Sequence, residues 1–114
     1  MKAIIDIAGR GSIFRTVRAQ LANRGELDYR LSFESAKTLF AALTPARFDL
    51  LEVLRRVGPC SVYTLAKEAG RNYSNVHADT AKLLELGLIE RTDHDAVYVP
   101  FSAVEIRMEL AQAA

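Results

Sequence analysis

Apolar positions recur along this chain with two different periods. Ala3-Ile4-Ile5-Asp6-Ile7 is short and β-branched, which predicts a strand. From Ser12 the period lengthens: Ile13, Phe14, Val17 and Leu21 fall within one sector of about 100° on a helical wheel. Arg15 and Arg18 lie outside that sector and Gly25 closes it, so a short amphipathic helix is expected here. Residues 26–31 read as a loop or a short strand, and the Ala- and Leu-rich stretch Phe33–Leu43 predicts another helix.

Thr44-Pro45 is the sharpest boundary in the chain, because Thr caps a helix, Pro suits its first position, and Pro ends whatever helix precedes it. A helix is predicted from Pro45 to Val57 with Leu50, Val53, Leu54 and Val57 as its buried stripe, stopped by Gly58-Pro59. Ser61 then caps a helix whose apolar face is Val62, Leu65, Ala66 and Ala69, and Gly70 terminates it. After the turn Arg71-Asn72-Tyr73, a helix over Ser74–Leu86 turns Val76, Thr80, Leu83 and Leu84 inward and ends at Gly87. Leu88–Arg91 and Ala96–Val99 flank the polar turn Thr92-Asp93-His94-Asp95 as a hairpin. Val104, Ile106, Met108 and Leu110 alternate with Glu105, Arg107 and Glu109, the pattern of a strand with one face to cover.

Composition narrows the function more than it names it. The 114 residues carry 15 basic and 14 acidic side chains, so bulk charge gives no sign of a nucleic-acid partner. Residues 1–30 hold a local excess: Lys2, Arg10, Arg15, Arg18, Arg24 and Arg30 against Asp6, Glu26 and Asp28. The longest apolar run, Leu39–Leu43, is far short of the roughly 20 residues a membrane helix needs, and the first residues lack a secretory leader's apolar stretch. A cytoplasmic protein with no membrane role is expected. Cys60 is the single cysteine and His77 and His94 are the two histidines, so neither a metal site nor a catalytic constellation is expected. Gly9-Arg10-Gly11 precedes Phe14 where a dinucleotide fingerprint needs glycine, so it reads as a turn, and no cofactor is expected.

Helix, helix, tight turn, helix, hairpin is the order of a winged helix-turn-helix, in which the last helix leaves one face free for the major groove. Projection of that helix puts Ser74, Asn75, Ala78, Ala81, Lys82 and Glu85 on its outer face. Asparagine can bridge an adenine edge, and alanine allows close approach and touches a thymine methyl. The plain alternative is a solvated amphipathic helix.

Residues 44–101 resemble winged helix-turn-helix regulators of the MarR-like superfamily, and the chain is most similar to small prokaryotic predicted transcriptional regulators. The resemblance lies in Phe33-Glu34-Ser35, Leu43–Arg47, Gly70–Asp79 and Glu85–Arg91. Together with the element order and the unpaired last strand, it predicts a mainly α fold with a small β-hairpin, a winged helix-turn-helix with an N-terminal strand-helix extension and a C-terminal dimerisation strand, and a sequence-specific repressor acting as a homodimer on a palindromic operator in double-stranded DNA. It also implies an alternative role, an antitoxin that neutralises a cognate toxin. The turn Asp93-His94-Asp95 departs from the family in lacking glycine and basic residues.

The candidate DNA contacts are Arg71, Asn72, Tyr73, Ser74, Asn75, Ala78 and Lys82, with Arg91 and His94 at the hairpin. Arg71 suits either a phosphate or an ion pair with Glu68; Asn72 and Tyr73 suit phosphate contacts or purely structural roles. His77 is expected to pack at the edge of the buried face, and Asp79 to bond the turn or an arginine such as Arg91. Lys82 suits a phosphate or an ion pair with Glu85. The expected domains are an extension over 1–43, a DNA-binding domain over 44–101 and a dimerisation strand over 102–114. Ile5, Ile7, Val104, Ile106, Met108 and Leu110 are the candidate dimer contacts, with the last strand pairing either with the first or with its symmetry mate.

Overall fold

The strand expected near the start is present, and it lies inside a sheet. The computed structural model describes residues 1–7, 14–19 and 27–110, with 14–19 and Leu27 described by their backbone alone. The elements run β1 (Lys2–Ile7), β2 (Phe14–Ala19), β3 (Leu27–Phe33), α1 (Ala36–Ala42), α2 (Pro45–Val57), α3 (Val62–Ala69), α4 (Tyr73–Glu85), β4 (Glu90–Arg91), β5 (Val97–Tyr98) and β6 (Ala103–Arg107). They form two units, Met1–Ala42 with Phe101–Ala114, and Leu43–Pro100.

The first unit is a four-stranded sheet in the order β2-β3-β1-β6. β1 runs parallel to both β3 and β6, and β2 adds to β3 antiparallel as an edge. Asp28, Arg30 and Ser32 alternate along β3 with Tyr29, Leu31 and Phe33, which gives the sheet one polar and one apolar face. On the polar face Asp6 accepts from Arg30 Nη1 (2.6 Å) and Ser32 Oγ (2.5 Å). On the apolar face Ala3, Ile5, Leu31 and Phe33 are fully buried. α1 lies against β3 with Leu39 buried, its start fixed by reciprocal bonds between Ser35 and Thr38. Tyr29 stacks on Phe101 with ring centroids 5.6 Å apart.

This sheet overturns the expected mainly α fold with a small hairpin: the chain is α/β, and both of its ends contribute strands to one sheet. The amphipathic helix expected from Ile13 to Leu21 is the strand β2 over its described part. Ile13, Leu21, Gly25 and the Gly9-Arg10-Gly11 turn lie outside the described residues. Four apolar positions satisfied a helical sector, but the edge of β3 offers backbone partners that a short isolated helix lacks. Residues 26–31 belong to β3, and the helix expected from Phe33 begins only at Ala36, since Phe33 completes the strand.

The second unit holds α2, α3, α4 and the β4–β5 hairpin. Thr44 caps α2, accepting from the Arg47 N–H (3.3 Å), with Pro45 at its first position. Its core comprises Leu50, Val53 and Leu54 of α2, Leu65 and Ala66 of α3, Val76 and Leu83 of α4, and Leu88, Ile89 and Val97 beyond. Each such side chain contributes roughly 1.5–3 kcal/mol on burial, the alanine less. Cys60 and Val97 exchange backbone bonds of 3.1 and 2.8 Å, tying the segment before α3 to the hairpin. Among the described residues no helix is long and apolar enough to cross a membrane.

Candidate functional site

α3 and α4 are joined by three residues, Gly70-Arg71-Asn72, and each has a defined task. Gly70 takes the left-handed conformation (φ 66°, ψ 35°). Its N–H donates to the Lys67 carbonyl (3.1 Å) and that of Arg71 to the Ala66 carbonyl (3.0 Å), which closes the end of α3. Asn72 starts α4: its Oδ1 accepts from the N–H groups of Ser74 (2.8 Å) and Asn75 (3.3 Å). The direction in which α4 leaves the turn is therefore fixed at both of its backbone junctions.

Behind α4, Asp79 is clamped by two arginines. Arg47 Nε donates to Oδ1 (2.9 Å) and Arg71 Nη2 to Oδ2 (2.8 Å). Burial pushes the Asp79 carboxyl up, but the hydrogen bonds and charges of the two guanidinium groups together outweigh it and hold the carboxyl below the ordinary carboxylate range. Arg71 therefore pairs with Asp79 and not with Glu68, and Asp79 reaches the turn and α2 while Arg91 pairs with Asp95 (2.7 Å). Arg47 was not foreseen, since 32 residues separate it from Asp79 and no local pattern connects them.

The outward face of α4 carries Tyr73, Ser74, Asn75, Ala78, Ala81 and Glu85, all exposed. Lys82 is part-exposed and bonded to Glu85 (3.1 Å). His77 is also exposed and stands 5.8 Å from the Tyr73 ring, so the expectation that it packs inside is corrected. It sits at the margin of the inner face, where cover depends on the neighbouring element, and among the described residues none closes over it.

A groove of ≈ 390 Å³ runs along one flank of α4, lined in part by Tyr63, Tyr73, His77, Thr80, Leu84 and Arg91. Thr80 Oγ1 is buried there with no hydrogen-bond partner among the described residues. At the hairpin turn, Thr92 Oγ1 accepts from the N–H groups of His94 (3.2 Å) and Ala96 (3.1 Å), leaving His94 exposed at the tip. Cys60 has its thiol pushed up by burial and by the Glu68 charge, the opposite of what a nucleophile needs.

The candidate dimer contacts divide. Ile5 is completely buried inside its own sheet, which withdraws it from any surface, and Ile7 is part-exposed. Val104, Ile106, Met108 and Leu110 are exposed.

The chain belongs to the HVO_A0114 family, whose family model matches residues 42–106. No curated protein and no solved structure matches it. The matched segment takes in the whole second unit and continues through most of β6.

Proposed function

We propose that this protein is a sequence-specific DNA-binding transcription regulator, a cytoplasmic repressor acting as a homodimer on a palindromic operator, with α4 as the reading element. The observation that carries this reading is the face of α4: Ser74, Asn75 and Ala78 stand exposed on a helix whose start is fixed by Asn72. A slim, polar surface of this kind fits a major groove, where the Asn75 amide pairs with an adenine edge and Ala78 meets a thymine methyl. Arg71 and Lys82 flank that face with positive charge for phosphates, each already sharing it with a carboxylate. A chain of net charge +1 binds modestly alone, so two copies on a two-fold site supply the affinity. The resemblance to MarR-like regulators points the same way.

The test is a titration of a labelled fragment from the protein's own promoter region at several salt concentrations. Asn75→Ala should cost about 1–3 kcal/mol on the cognate site and relax preference at one base pair. Binding unchanged by this substitution, with the fold intact, removes α4 as the reader.

One observation favours a second reading, an antitoxin that neutralises a cognate toxin and binds DNA secondarily. Tyr63 and Tyr73 are 63% and 49% exposed beside the α4 groove, and tyrosine is enriched at protein interfaces. Tyr63→Ala would then abolish toxin neutralisation while leaving promoter binding intact.

A further inference from the structure

One edge of β6 is bonded to β1, and its other edge is open among the described residues. The register sets Val104 beside Ala3 and Ile106 beside Ile5, so all four side chains share the apolar face of the sheet. Ala3 and Ile5 are completely buried, whereas Val104 and Ile106 are 36% and 45% exposed. The apolar face therefore runs past its cover at β6, and exposed Met108 follows directly after the strand. On the polar face Glu105 accepts from Lys2 Nζ (2.6 Å) and Arg107 Nη2 (3.0 Å).

An open, apolar strand edge is a template for another strand, and the order of residues along β6 specifies which one. A second β6 laid antiparallel, with Ile106 opposite Ile106, sets Glu105 against Arg107 twice and brings Val104 near the end of the partner strand, where Met108 follows. Sliding the register to oppose Glu105 to itself, or running the strands parallel, sets like charges together, which is unfavourable. A two-fold axis repeats every favourable pair at no further cost in specificity. We infer that β6 is the homodimer interface: two copies pair antiparallel about Ile106, joining their four-stranded sheets into one continuous sheet. This deepens the homodimer element of the reading above and does not depend on DNA.

Analytical ultracentrifugation of the full chain across a dilution series, without DNA, tests it. The unmodified protein should sediment as a dimer that dissociates on dilution. Arg107→Glu, which opposes two carboxylates in each pair, should raise the dimer Kd by about tenfold or more. The triple variant K2E/E105R/R107E inverts the charges while preserving the pairing within each protomer, and it should recover the dimer. Ile106→Asp should give a folded monomer by circular dichroism. A monomer at every concentration, an Arg107→Glu dimer of unchanged Kd, or a folded triple variant that stays monomeric would overturn the assignment. Because the readout is mass, failure here leaves the DNA titration untouched, and failure of that titration leaves this dimer standing.

Discussion

Arg71 donates from Nη2 to Asp79 Oδ2 across 2.8 Å, fastening the turn before α4 to the body of the same helix. The second oxygen of Asp79 holds Arg47 of α2, so one carboxylate sets the position of two cations. Removing it should act in opposite directions on folding and on DNA. Asp79→Ala leaves two part-buried guanidinium groups without this partner and should lower stability by about 2 kcal/mol, read as a fall in the denaturant midpoint. It should also tighten binding to random DNA at low salt, because a local negative charge is gone. Weaker random-DNA binding by the folded variant would contradict this account of Arg71.

The same carboxylate predicts an acid limb of stability. Its folded pKa is depressed below the ordinary value of 3.8, so its contribution is fully present above that value. It is lost as pH falls below 3.8 toward the folded value. Asp79→Asn should flatten that part of the stability curve, and urea denaturation at steps of pH on both proteins measures the difference. Parallel curves for the two proteins would place the acid sensitivity elsewhere.

Asn72 is predicted to matter through its oxygen. Asn72→Ala exposes the N–H groups of Ser74 and Asn75 and should cost about 1 kcal/mol, while Asn72→Asp should keep the cap and cost little. Thermal melts of the pair separate capping from any contact made by the side-chain NH2, which Asp lacks. Because Asn72→Asp also adds a charge that repels phosphate, Asn72→Ser, an uncharged cap without the NH2, decides the point: normal melting with weak DNA binding assigns that NH2 a part in recognition.

Two glycines test backbone strain free of crowding, since a Cβ at either would meet nothing within 4 Å. Gly70 is in the left-handed helical region, where a non-glycine residue costs about 1–2 kcal/mol. Gly58, at φ 90° and ψ −172°, is in a region essentially reserved for glycine, with a cost of about 1–3 kcal/mol. Gly58→Ala should therefore destabilise more than Gly70→Ala, and Gly70→Asn should be the mildest. Equilibrium unfolding gives the ranking directly.

The helices of the second unit were legible because their signals are local. Thr44-Pro45, Ser61 and Gly70 each perform the capping or stopping role their residue type suggests, within a residue or two of the expected boundary. The sheet was much less legible. Leu27-Asp28-Tyr29-Arg30-Leu31-Ser32-Phe33 carries strict alternation, a signal for β3 that the Ala- and Leu-rich stretch beginning at Phe33 interrupts. Phe14–Ala19 is too short to separate a helical period from a strand period, and what decides it is pairing with β3, a partner no local window contains. Site residues followed the same division. Ser74, Asn75 and Ala78 face outward as the wheel projected, because α4 is regular, whereas the Arg47–Asp79 pair depends on tertiary packing of two helices.

The pairing of β1 with β6 has a consequence for how the protein is made. The ribosome delivers Lys2–Ile7 about a hundred residues before Ala103–Arg107, so the sheet stays incomplete until the intervening segment has been made. Residues 43–100 form a compact unit of contiguous sequence and can assemble during synthesis. Until β6 emerges, the second edge of β1 stays bare, and the nascent chain carries an unfilled strand position that another β6 from a neighbouring ribosome could occupy.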